Sequence, residues 1–169
     1  ASALAFAEVK ETWMPIPNNA LVLVVDGRKM LFFRNHGDQN QIDLRTEAHD
    51  ERDDADFDRE LKTDAQGSAS TSAGFGRDSM EETDFKQQEE DNWVKEAAEK
   101  LRTRALRNDF DHLCIIAPPK ALGVLRKALH KEVEKRVVCS INKEMSGRPI
   151  PDIEALIVSE TKAEEPADV

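Results

Sequence analysis

Ala20 to Asp26 (ALVLVVD) is an unbroken apolar run of strand length, rich in valine. A strand covered on both faces has this pattern. Asp26-Gly27 follows as a hairpin turn signal, and Lys29 to Arg34 (KMLFFR) reads as the returning strand. In Gln41 to Ala48, Ile42, Leu44 and Thr46 alternate with polar neighbours, which predicts a third strand. From about Glu82 to Asn108 the period changes. Val94, Ala97, Ala98, Leu101 and Ala105 recur at helical spacing. Ser79 with Glu82 three residues later fits a capping box and places the helix start near Ser79. Asp111 to Ala117 is a further buried strand, stopped by Pro118 and Pro119. Lys120 to Arg136 then reads as one helix, with Leu122, Leu125, Leu129 and Val133 on its apolar stripe. Val137 to Ile141 is a fifth strand, and Pro151 to Val158 a short closing helix. Early strands followed by strand–helix alternation predict a single α/β domain over residues 14–158, with a mixed sheet of about five strands flanked by helices.

Charge adds a loop to this picture. Asp50 to Asp64 holds eight carboxylates against three basic residues and leads into the small, glycine-containing stretch Gly67 to Gly76. Residues 50–79 are therefore expected to form a mobile acidic loop, far longer than an ordinary connection. Net charge is -10 over 169 residues, and apolar residues are 39% of the chain, so part of it is not expected to pack. An acidic balance argues against a general nucleic-acid coat but leaves room for a local basic face. No apolar run approaches the roughly 18 residues that a membrane span needs. The opening residues lack the basic start and long apolar middle of a secretory signal, so the expected compartment is cytoplasmic. Met14 could be the natural start, which would make residues 1–13 an upstream extension or tag remnant. Residues 159–169 read as a charged tail. Cys114 and Cys139 sit in apolar runs and read as buried reduced thiols, with a disulfide between them left open.

The chemistry-bearing residues form few patterns. His36, His49, His112 and His130 lack the i, i+4 spacing of a helical metal pair, and neither cysteine lies in a CxxC. Serine-nucleophile and phosphate-loop motifs are missing, so neither metal nor cofactor is expected. Asp26 reads as the first residue of its turn. The alternative is a nuclease-like metal carboxylate with Asp111 as its second ligand. The clearest electrostatic signal is the segment Lys120 to Arg136. Lys127, Lys131 and Lys135 fall four apart, with Arg126 and His130 on the neighbouring ridge, and only Glu132 and Glu134 oppose six basic residues. Such a face suits phosphate-backbone contact, and it equally suits a solvated helix surface.

The stretch IPNNALVLVVDGRKMLFFRN, the acidic segment, GFGR, HLCIIAPPKALGVLRKALHKEV and IPDIEALI together resemble the bacterial host attachment protein family, over about residues 14 to 158. Cys114 to Val133 is the most specific part. That family is similar in turn to the middle domain of archaeal and eukaryotic peptide-chain release factors and to the ribosomal L18/S11-like fold. In the release factors a Gly-Gly-Gln loop ahead of a long helix reaches the ester of peptidyl-tRNA. Gly74, Phe75, Gly76 and Arg77 occupy the corresponding place here, without the glutamine and with Phe75 between the glycines. The resemblance implies a loop that touches RNA or a partner and does not release peptide. The expectation is a non-catalytic module that contacts RNA, tRNA or the ribosome through Arg126, Lys127, His130, Lys131 and Lys135 and through the Gly74–Arg77 loop. The alternative is a protein-interaction factor with an indirect role in host-cell attachment. A hydrolase is the third reading, for which neither residues nor resemblance supplies catalytic groups.

Overall fold

The computed structural model describes residues 15–52 and 75–162. Strand β1 (Leu21–Val25) is buried at every position and occupies the centre of the sheet, as its unbroken apolar run requires. It pairs antiparallel with β2 (Lys29–Asn35), which pairs antiparallel with β3 (Leu44–Glu51). On its other side β1 runs parallel to β4 (Leu113–Ala117), and β4 runs parallel to β5 (Val137–Asn142). The order is β3-β2-β1-β4-β5, a mixed five-stranded sheet in a single α/β domain. Helices α1 (Phe75–Leu106), α2 (Pro119–Ala128) and α3 (Lys131–Glu134) lie on one face, and α4 (Ile150–Lys162) lies on the other.

Alternation along the strands divides the core in two. Leu21, Leu23, Val25, Leu113 and Ile115 face Val94, Leu101, Leu122, Leu125 and Val133 on the helical side. Val22, Val24, Cys114, Ile116 and Cys139 face Ile153 and Ile157 of α4. Cys114 and Cys139 are direct register partners on adjacent strands and are unbonded. Burial pushes the Cys114 thiol well above its ordinary value, and the hydrogen bond with Cys139 adds to the shift.

Several expected boundaries move for local reasons. The first hairpin turns at Asp26, whose Oδ1 accepts the N–H groups of Arg28 (2.8 Å) and Lys29 (2.7 Å). No described glycine has a positive φ, so Gly27 is not there for a left-handed turn. It makes room: a Cβ at Gly27 would lie 2.8 Å from Glu90 Cγ of α1. The third strand begins at Leu44 rather than Gln41. Asp38 Oδ1 accepts the N–H groups of Asn40 and Gln41, and buried Asn35 Oδ1 accepts those of Gly37 and Asp43. These bonds hold the chain as a loop until residue 43. Helix α1 starts at Phe75, so Ser79 lies inside it rather than at its start. The expected 50–79 loop overlaps regular elements at its ends, β3 at Asp50 and Glu51 and α1 from Phe75 to Ser79. The rest of that loop lies outside the described residues. Helix α4 runs to Lys162, four residues beyond Val158, with Ile153, Ile157 and Thr161 buried at i, i+4 spacing.

The largest correction concerns Lys120 to Arg136, which is not one helix. Leu129 and His130 are extended (ψ 134° and 148°) and separate α2 from α3. His130 Nδ1 accepts the Glu132 N–H at 3.0 Å and caps the new helix. The break lets the chain turn back toward the sheet while Leu129 and Val133 both stay buried. Arg136 then donates from Nη1 to Phe110 O at 2.7 Å, and Leu113 N–H bonds Arg136 O, which starts β5 in register beside β4.

Candidate functional site

On α2, Ala121, Leu122 and Leu125 point into the core. The opposite positions, Lys120, Gly123, Val124, Lys127 and Ala128, therefore share one outward face at i, i+3, i+4, i+7 and i+8. Asp91 and Lys95 stand one turn apart on α1. Where the two helices pack, these residues and Pro119 line an open groove of about 580 Å³. Its lining mixes the apolar Pro119, Val124, Ala128 and Gly123 with three lysines. Lys120 Nζ donates to Gln87 Oε1 (2.7 Å), and Gln87 Nε2 donates to Asp91 Oδ1 (2.8 Å), so the one carboxylate in the lining is held in place. Lys95 and Lys127 form no ion pair among the described residues.

Gly123 is unusual for its place. A glycine inside a helix costs about 1 kcal/mol relative to alanine. Its φ is not positive, and a Cβ added there would meet no atom within 4 Å among the described residues. The fold itself has no use for the missing side chain.

The other expected contact residues lie apart from this groove. Lys131 opens α3 and is exposed. Lys135 Nζ bonds Glu132 Oε2 at 3.1 Å, and that hydrogen bond holds the Glu132 carboxyl below its ordinary value. His130 is occupied as the α3 cap. Arg126 is exposed on α2, beside Lys127, and has an interaction of its own. The structure thus brings Lys127 together with Lys95 and Lys120, and spreads the expected Lys127–Lys131–Lys135 ridge over two helices. Lys95 is the residue that sequence reasoning missed. Its only local signal was its spacing from Asp91, and it becomes part of a basic group only when α1 packs on α2. Phe75, Gly76 and Arg77 form the first turn of α1, and Gly74 lies outside the described residues.

The remaining acidic candidates do not converge. Asp26 follows the end of β1, whereas Asp111 precedes the start of β4, and the two strands are parallel. The two carboxylates are therefore at opposite ends of the sheet, which overturns the two-carboxylate reading. Asp26 Oδ2 lies 2.5 Å from Ser146 Oγ, which also contacts Glu144 Oε2 at 2.7 Å. Burial pushes the Asp26 carboxyl up, but the bonds from Ser146 and from the Arg28 and Lys29 N–H groups outweigh it and hold the group below its ordinary value. Among the described residues no three His, Cys, Asp or Glu side chains are placed to hold a metal ion. None of the described helices is long and apolar enough to cross a membrane.

The family match places this mixed-sheet α/β domain in the release-factor-related class. Residues 19–157 match bacterial archaeo-eukaryotic release factor family 12, and the chain belongs to that family. No curated protein matches it significantly.

Proposed function

We propose that this protein is a non-catalytic, cytoplasmic RNA-contacting module of the release-factor-related class, acting on tRNA or the ribosome through the groove between α1 and α2. The observation that carries the reading is the set Lys95, Lys120 and Lys127 around one concave surface. Three cations with one tethered carboxylate give a local positive field on an otherwise acidic chain, which is what a phosphate backbone requires. Arg126, beside Lys127, extends that surface, and Lys131 of α3 and Lys135 at its C-terminal cap are peripheral contacts. The stretch Gly74, Phe75, Gly76 and Arg77, of which Phe75 to Arg77 open α1, supplies the second contact. Lys95 lies 18 residues along that helix from Arg77, a rise of about 27 Å, which sets the two contacts apart. The missing glutamine in that stretch argues against peptidyl-tRNA hydrolysis.

Charge reversal at the groove tests the reading. With Lys95→Glu and Lys127→Glu together, the slope of log affinity for single-stranded RNA against log salt should flatten by about 1.4, at about 0.7 per lost phosphate contact. Copurification with ribosomes at low salt should fall in parallel. Unchanged RNA affinity in a double variant with a native circular dichroism spectrum would overturn the proposal. It would favour a protein-interaction factor, whose lysines meet an acidic partner and whose effect on host-cell attachment is indirect.

A further inference from the structure

The groove is lined by three lysines and by the apolar Pro119, Val124 and Ala128, and a glycine stands among them. We infer that Gly123 is a clearance position, and that the groove seats one unstacked base of a single-stranded RNA while Lys95 and Lys127 hold the flanking phosphates. This rests on the RNA-contacting reading and narrows it to single strands.

Three features point the same way. Glycine weakens the helix that contains it, yet neither its backbone angle nor its surroundings require it here. The missing side chain leaves open space at a position that lines the groove. A volume of about 580 Å³ falls within the range of clefts that enclose small ligands. Charge complementarity selects an anion, and the apolar part of the lining selects one with a flat, weakly hydrated part. A nucleotide in a single strand combines both. A duplex does not, because its bases are stacked inside and only its phosphates face outward.

The test fills the clearance without touching charge. Fluorescence anisotropy with a labelled oligouridylate and with a labelled duplex RNA would compare wild type, Gly123→Ala and Gly123→Leu. The fold should survive, since a Cβ at this position meets nothing and both replacements are better helix formers. Gly123→Leu should weaken oligouridylate binding at least tenfold, leave duplex binding within twofold, and keep the salt slope of the wild type. Gly123→Ala should fall between. Equal oligouridylate affinity in all three proteins would overturn the inference. The RNA reading would still stand if the Lys95 and Lys127 charge reversal lowered that affinity. Should the wild type bind labelled oligoglutamate but no RNA, and Gly123→Leu abolish that binding, the occupant is an acidic peptide and both readings fail. If Gly123→Leu lowers the melting temperature, Gly123→Ala carries the comparison alone: a drop in oligouridylate affinity supports the inference, and no drop overturns it.

Discussion

Where β1 and β4 begin, cations are enclosed. Arg34, with its side chain 8% exposed, donates to Glu47, to Asp109 and to the backbone oxygens of Asn19 and Asp109. Arg104 of α1 reaches the same Glu47 and Asp109 and lies 4.9 Å from the Phe32 ring centroid. Arg136 closes the neighbouring seam through Phe110 O and Asn108. In the groove between α1 and α2, which opens where β4 passes into α2, Lys95 and Lys127 instead meet no carboxylate within ion-pairing distance among the described residues. Planar guanidinium groups with several fixed donors hold the first region together, and flexible ammonium groups line the second. The difference separates architecture from availability. A charge desolvated among partners cannot be withdrawn without leaving those partners unmatched, whereas a solvated lysine can exchange water for a ligand.

The comparison breaks most sharply at Arg34. Arg34→Ala leaves Glu47 and Asp109 with Arg104 alone and should cost about 2–3 kcal/mol, less than a fully buried pair because both carboxylates are about one-third exposed. Urea denaturation would measure it, and a loss under 1 kcal/mol would show the network to be incidental. Acid sharpens the same point. Burial pushes the Glu47 carboxyl up, but the bonds from Arg34 and Arg104 outweigh it and hold the group below its ordinary 4.5. A depressed carboxylate contributes stability that is present above 4.5 and is lost as pH falls through its lowered value. The acid-side decline in stability should therefore be shallower in Arg34→Ala than in wild type.

A second break tests the loop at the same end. A Cβ at Gly37 would run into the backbone oxygen of Gln41, inside the turn organised by Asn35 and Asp38. Backbone cannot swing aside as a side chain does, so Gly37→Ala should destabilise by about 1–2 kcal/mol. A Cβ at Gly27 would meet the near end of the Glu90 side chain, Cγ at 2.8 Å and Cβ at 3.0 Å, a milder clash than one with backbone, so Gly27→Ala should cost less. Equal losses at the two glycines would contradict this account.

The smallest expected stability effect lies in the groove. Lys127→Ala should move stability by no more than about 0.5 kcal/mol, the usual range for a surface change away from any network. A cost like that of Arg34→Ala would mean that Lys127 supports the fold, and the contrast between the two regions would fail.

Legibility followed the range over which each signal acts. The valine-rich run of β1 and the apolar β4 were readable because burial on both faces needs no knowledge of partners. The stripe from Val94 to Ala105 was readable for the same reason, since helix period is local. The start of α1 was misplaced because Ser79 and Glu82 have capping-box spacing in a segment that was already helical. The split between α2 and α3 was hidden because Leu122, Leu125, Leu129 and Val133 keep helical spacing across it. No proline or glycine marks Leu129-His130. The break is set by the path to β5 and by a histidine cap, neither of which alters the hydrophobic pattern.

By itself, then, the sequence determined which segments must be buried, their order as strands or helices, and the family to which residues 19–157 belong. Only the tertiary structure decided which charges meet. Arg34 finds Asp109 across 75 positions of chain, and Lys127 finds Lys95 across the α1–α2 contact. A hydrophobic period is written into neighbouring residues and survives local reading. The partner of a charged side chain is set by how separate elements pack, and no periodicity along the chain encodes that.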